Sequence, residues 1–296
     1  MWRIWLAALF WGLNFPTVKV LLAGANPWSL RAAGLAAGTV LLAAITATAG
    51  HSLAIARRHW GTLLVAGLLN VAAFNVLAAF AQTTMSASRA AIITYTMPLW
   101  SVLFARLVLA EPIDRLRGLA LLFGAAGIAV LGTPFWATIV AGGVPFGLIY
   151  VLGSAIAWAA GTVFLKWAKP EGSLLALTTW QFAIGALAAG LGMAVFETPR
   201  LELHRPEILA VFAYHVVFPQ VAAYVLWFGL MARVPASTAA LGTLLVPIVA
   251  VAASGFLLGE RLTPLDWLGF VLILGAVLLD QGLRMWRPPL SPAPPR

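Results

Sequence analysis

The chain has 296 residues, of which 62% are hydrophobic and 9% are Asp, Glu, Lys or Arg, and its formal net charge is +9. Soluble domains carry roughly 25% charged residues, so a water-facing surface is excluded and the chain reads as an integral membrane protein. Cysteine is absent, which removes a disulfide framework, a thiolate metal site and a cysteine nucleophile.

The first predicted span, 2–22, follows Met1-Trp2-Arg3 and has the look of a signal peptide's apolar region. No small-residue cleavage site stands out after it, and it has a counterpart in the second half of the chain, so it reads as a retained helix. Further spans are predicted over 29–49, 60–81, 87–108 and 116–134. After a linker at 135–145 come 146–167, 174–195, 208–231, 236–258 and 265–284. The loops are short, which makes neighbouring helices antiparallel pairs. The longest is the charged stretch from Glu197 to Glu207, and the Pro-rich tail 285–296 cannot be helical from Arg287 on.

An internal repeat organises these spans. Aligning Ala87–Glu111 with Ala236–Glu260, an offset of 149, pairs Ala87 with Ala236, Ser88 with Ser237, Thr94 with Thr243, Pro98 with Pro247 and Glu111 with Glu260, among nine identities in 25 positions. In the first helix of each half, Trp11 and Lys19 recur as Trp158 and Lys166. Five spans per half is odd, so the second copy enters the membrane from the opposite side. The expected fold is an all-α membrane protein of ten transmembrane helices, as two inverted five-helix repeats over 1–134 and 146–284. Such repeats favour alternating access.

An even number of spans puts both termini on one side. With cytoplasmic termini, the inner ends carry twelve of the eighteen Lys and Arg, including Arg57, Arg58, Arg106, Arg115, Arg117, Lys166 and Lys169. Basic residues in short loops are explained by this orientation rule better than by nucleic acid.

The segments Ala7-Ala8-Leu9-Phe10-Trp11-Gly12-Leu13-Asn14-Phe15, Ala110-Glu111-Pro112 and Leu258-Gly259-Glu260-Arg261-Leu262-Thr263-Pro264 resemble the drug/metabolite transporter superfamily, in its EamA-type ten-helix branch. The likeness runs to about Leu283. It implies a ten-helix inverted-repeat fold and export of small metabolites, often amino acids, across the bacterial inner membrane. The small four-helix multidrug members of that superfamily place a glutamate in the first helix to exchange protons for drug. The span 2–22 holds no acid, so that chemistry is not carried over.

A solute site near mid-membrane is expected to be lined by polar and aromatic side chains that would be costly facing lipid. Trp11 and Asn14 share a face of the first helix, and Trp158 takes the equivalent place in the sixth. Asn14 also fits plain interhelical hydrogen bonding. Asn75 and Gln82 lie seven apart on the third helix. The eighth carries Gln220, Tyr224 and Trp227 on one face with His215 above, a set suited to an ammonium and a carboxylate beside an apolar group, although core packing also produces such stripes. His215 reads as a hydrogen-bonding wall rather than a metal ligand or proton relay. Tyr95 precedes Pro98, and Pro98 and Pro247 are candidate hinges. Trp180 and Gln181 sit near the start of the seventh helix, where Arg31 sits in the second. Arg31 could gate the outer mouth or pair with a carboxylate, with snorkelling to the interface the favoured reading. Lys19 and Lys166 could attract a substrate carboxylate, but the favoured reading is that they snorkel or close a gate with Glu or Asp, while Gly124, Gly127, Gly269 and Gly275 let helices approach.

The expected function is a secondary transporter exporting amino acids, aromatic or apolar ones, with no cofactor and no metal. Its partners are the small-molecule solute and the lipid bilayer, not nucleic acid, and the chain is read as a monomer. A drug or nucleotide-sugar carrier is the nearest rival. A pore would conduct without an alternating cycle. A membrane enzyme would need clustered reactive groups, yet His51, His59, His204 and His215 are scattered. A cation exporter should show an intramembrane carboxylate, and only Asp280, near the inner end of the last helix, comes close. No Walker-type loop is present, and without an evident proton-carrying carboxylate the reading favours facilitated diffusion.

Overall fold

A computed structural model describes residues 2–226 and 245–286. Among them every regular element is a helix: α1 (Trp2–Leu21), α2 (Pro27–Thr48), α3 (Arg57–Thr84), α4 (Ala87–Val108), α5 (Arg115–Leu131), α6 (Thr133–Val140), α7 (Phe146–Ala168), α8 (Leu174–Phe196), α9 (Pro206–Leu226), α10 (Leu245–Leu258) and α11 (Pro264–Trp286). Six of them, α2, α3, α4, α7, α8 and α9, are long and apolar enough to cross a membrane. The pair α5–α6, bent by 64°, makes a seventh if it is one span.

Local chemistry sets the helix starts. Ser86, Asp114 and Ser173 accept the backbone N–H three residues on, capping α4, α5 and α8, and proline opens α2, α9 and α11. The predicted fifth span ends early, because Gly132 and Pro134 start a new helix. The stretch read as a linker is therefore helical through Val140. Large side chains such as Phe256 and Leu107 face outward, as lipid contact requires.

The sequence repeat has structural counterparts at the same offset. α3 carries a π-helical turn at Gly67–Ala73 and α9 one at Val216–Ala222, 149 residues on. In α9 the proline inside it, Pro219, has no N–H to give to the regular ladder. Ala110 and Gly259, also 149 apart, both take left-handed backbone, at φ 55° and 67°. In the turn that follows, the Glu111 N–H meets the Ala105 carbonyl at 3.2 Å and the Glu260 N–H meets the Ser254 carbonyl at 3.4 Å. Ala110 bears strain that glycine at 259 avoids.

Helix pairs follow the same pattern. α1 packs on α10 as α7 packs on α4, while α2 pairs with α8 and α5 with α11. The last pair meets through glycines: a Cβ on Gly127 would stand 2.7 Å from the Ile273 side chain, and one on Gly269 would strike Leu131. Gly124 abuts Leu99 in the same way, but Gly275 faces open space, so it does not serve the close approach expected of it.

One end of the bundle is tied by polar contacts. The 197–205 loop pairs with the turn after α1, with the Asn26 N–H on the Arg200 carbonyl at 3.0 Å and the Glu202 N–H on the Gly24 carbonyl at 2.9 Å. Hydrogen bonds from Arg200 and Arg205 hold the Glu202 carboxyl below the usual carboxylate range. Lys19 donates to the carbonyls of Gln82 and Met85, 2.5 and 2.9 Å away, just before α4 begins. At the far end of α4, Lys166 pairs with Glu111 at 2.6 Å. Both lysines thus tie helix ends together, and Lys166 does so through the Glu partner that a gate would use.

Candidate functional site

A cavity of about 390 Å³ lies inside the bundle, bounded by α1, α2, α3, α4, α7, α8, α9 and α11. That volume falls in the roughly 300–1,000 Å³ range of small-molecule sites. Trp11, Phe15, Phe74, Trp158 and Phe182 form its apolar walls. The Trp11 ring meets Tyr224 edge-on with centroids 5.6 Å apart, Phe182 meets the same tyrosine at 5.3 Å, and Phe74 leans on Trp158 at 4.8 Å. Trp11, Phe182, Phe74 and Trp158 each meet a ring from a different helix, which gives the walls a defined shape.

The break in α4 helps to open the space. Pro98 cannot donate to a carbonyl four residues back, so the helix interrupts at Tyr95 and Thr96 and restarts at Met97. Thr94, Tyr95, Met97, Pro98 and Ser101 all face the cavity from this break. Pro247 opens the described part of α10 as its third residue and lies outside the lining. In α3, just after the π turn, Asn75 donates to the Val71 carbonyl at 2.9 Å and lines the cavity with Gln82.

His215 is fully buried behind the wall, at 0% exposure. Its Nδ1 lies 2.8 Å from Asn14 Oδ1, and its Nε2 lies 2.9 Å from Gln220 Nε2 and 3.4 Å from Arg31 Nη1. A neutral ring protonated on Nδ1 satisfies all three: it donates to Asn14 and accepts from the amide and the guanidinium. Three helices, α1, α2 and α9, are thereby locked around one imidazole.

Of the residues singled out from sequence, Trp11, Asn14, Asn75, Tyr95, Pro98, Trp158, Gln220 and Tyr224 come together around this cavity. His215 stands directly behind it. Trp180 does not: its indole donates to the Leu53 carbonyl at 2.8 Å and packs on Trp60, which holds the 49–56 loop to α8. Gln181 is buried and hydrogen-bonds within α8 to Leu177, away from the lining. Trp227 lies outside the described residues.

Two charged residues join the lining, of which Arg31 departs from the sequence reading. Arg31 does not snorkel: it is 2% exposed and reaches the cavity wall. Asp280, also 2% exposed, is the acid in the lining, with the Arg117 guanidinium 3.6 Å from it. Glu111 joins the same cluster, 3.7 Å from Arg117. Gly34 and Gly38 lie at i+3 and i+7 from Arg31, on its face of α2. A Cβ on Gly34 would stand 3.2 Å from Gln220 Nε2, and one on Gly38 3.1 Å from Gln220 Oε1. The glycines make room for the polar group beside the arginine.

The EamA-like transporter family matches the chain twice, over residues 2–133 and 145–279. The uncharacterized transporter YvbV of Bacillus subtilis (strain 168) is 27% identical over 274 residues, 92% of this chain and 88% of that protein. The uncharacterized inner membrane transporter YedA of Escherichia coli (strain K12) is 29% identical, covering 92% and 87%. Protein PecM of Dickeya dadantii (strain 3937) is 29% identical over 76% of this chain and 74% of its own length. A protein of known crystal structure superposes with a TM-score of 0.66 at 21% identity, over 96% of this chain and 98% of the other, a likeness of fold alone.

Proposed function

The chain belongs to the EamA-like transporter family, and on that premise we propose that it exports small amphipathic metabolites, aromatic or apolar amino acids above all, by alternating access around the cavity. The observation that carries this reading is the lining itself. Aromatic walls meet neutral amides and hydroxyls, Asn14, Asn75, Thr94 and Gln220, in a space the size of a small-molecule site. An apolar side chain and a polar backbone are both accommodated there.

In this reading ten helices cross the membrane as two inverted units, 1–134 and 146–284. The 149-residue offset of the π turns and the left-handed turns supports a duplicated unit. Lys19 and Lys166, equivalent in the repeat, reach opposite ends of α4, which supports opposite insertion. Pro98 and Pro247 are the hinges. The transporter works as a monomer in a bacterial inner membrane with both termini cytoplasmic, and it performs no catalysis.

Reconstitution in liposomes with labelled Trp, Phe, Met and Thr, with and without a pH gradient, tests the reading. Saturable movement of at least one of them is expected. Movement of a cationic dye with none of the four would remove the amino-acid assignment. The pH-gradient arm reports whether transport is coupled to protons; rates equal in both arms would fit facilitated diffusion.

A further inference from the structure

Arg31 has the features of a receptor group rather than a structural one. A guanidinium buried in a membrane protein is expensive, and such groups ordinarily sit against a carboxylate. Among the described residues no Asp or Glu lies within ion-pair distance of Arg31; its one contact is the neutral His215 ring at 3.4 Å. Its Nε has no hydrogen-bond partner, and neither has Oε1 of the adjacent Gln220. Asp280, the acid in the same lining, already has the Arg117 guanidinium beside it. The cavity thus offers an uncompensated positive charge and a compensated negative one.

The surroundings are arranged to keep that charge in place. Gly34 and Gly38 allow Gln220 to lie against the α2 backbone, and the π turn of α9 carries Gln220 from just beyond His215. The imidazole then supports both Gln220 and Arg31 from behind, so neither head group need be ordered when a solute arrives.

We propose that Arg31 is the anion-recognition group of this cavity and takes the carboxylate of the transported solute, with Gln220 beside it. The assignment rests on the cavity being the solute site proposed above. The guanidinium fork matches a planar carboxylate, and burial strengthens the pairing relative to water. A cargo lacking an anion leaves Arg31 uncompensated and is discriminated against.

The test is direct binding to the purified chain in nanodiscs, read by quenching of tryptophan fluorescence, since Trp11 and Trp158 face the cavity. The probes are phenylalanine, 3-phenylpropionate, which keeps the carboxylate without the amine, and phenethylamine, which keeps the amine alone. Both carboxylates are expected to bind at least about tenfold more tightly than phenethylamine. Arg31→Gln is expected to lose about tenfold or more for the carboxylates without weakening phenethylamine, and Arg31→Lys to retain part of the carboxylate affinity. If Arg31→Gln does not fold, the wild-type preference and the lysine variant decide. Equal binding of phenethylamine, unchanged carboxylate binding in Arg31→Gln, or no binding of either carboxylate to the wild type would overturn the assignment. Carboxylate binding without movement in liposomes would instead sink the transporter reading and leave Arg31 as an anion site.

Discussion

Glu260 accepts the backbone N–H of Ser88 at 2.9 Å and the Ser88 hydroxyl at 2.6 Å, and so seats a carboxylate from the turn before α11 on the first residues of α4. It also takes the Ala87 N–H at 2.7 Å. Glu197, beyond the end of α8, does the same for α2, accepting the N–H groups of Trp28 and Ser29 at 3.1 Å each. Both helices start with a borrowed anion, which satisfies donors the helix leaves open and complements its dipole.

Removing that anion has a defined cost. Glu260→Ala should lower unfolding free energy by about 1–2 kcal/mol, the size of a lost cap, and Glu260→Gln by less. Thermal unfolding in detergent checks this. Equal stability of Glu260→Ala and wild type would mean that water replaces the carboxylate without loss.

The imidazole of His215 is the centre of three contacts, so its loss should be felt beyond its own volume. His215→Ala leaves Asn14 Oδ1, Gln220 Nε2 and Arg31 Nη1 without this partner in a buried place, each at about 1–3 kcal/mol. A marked drop in melting temperature is expected, larger than for Trp180→Phe, which removes one indole hydrogen bond to the Leu53 carbonyl. The reverse order would place the polar centre of the bundle elsewhere.

The all-helical class was legible because hydrophobic runs and prolines are local signals, and the 149-residue offset of the Ala87–Glu111 match recurs between the π turns of α3 and α9. Much of the cavity was legible for a related reason: Trp11 and Asn14, or Gln220 and Tyr224, each share one helical face. Arg31 was not, because a lone arginine five residues into a helix looks the same whether it snorkels or turns inward. Its setting depends on His215, 184 positions away. Trp180 misled for the opposite reason, since an indole near a helix start also serves to hold a loop, here through Leu53. The sequence order of Asp280 and Arg117 gave no hint of their pairing, which arises from the α5–α11 contact.

That contact makes a graded prediction about glycine. Gly127→Ala and Gly269→Ala place a methyl where Ile273 and Leu131 already sit, and should each cost about 1–3 kcal/mol by overpacking. Gly275→Ala meets nothing within 4 Å and should be neutral or slightly stabilising through better helix propensity. Denaturant unfolding of the three variants separates them. A costly Gly275→Ala would contradict the packing described for α11.

The orientation of the two halves is open to a labelling test because the chain contains no cysteine, so a single introduced one is unique. Ser52 lies in the loop after α2 and His204 in the loop after α8, the second long helix of each half, and both are exposed. Neither carries a contact that bridges helices in the interior, so Ser52→Cys and His204→Cys should leave the fold intact. Opposite insertion puts these equivalent loops on opposite faces. A membrane-impermeant maleimide should then label His204→Cys in intact cells and Ser52→Cys only after the membrane is opened. The direction follows from the charge: Arg57, Arg58 and Lys169 cluster at the Ser52 end. Labelling of both from one side would make the halves parallel, and the alternating-access cycle built on their inversion would have to be abandoned.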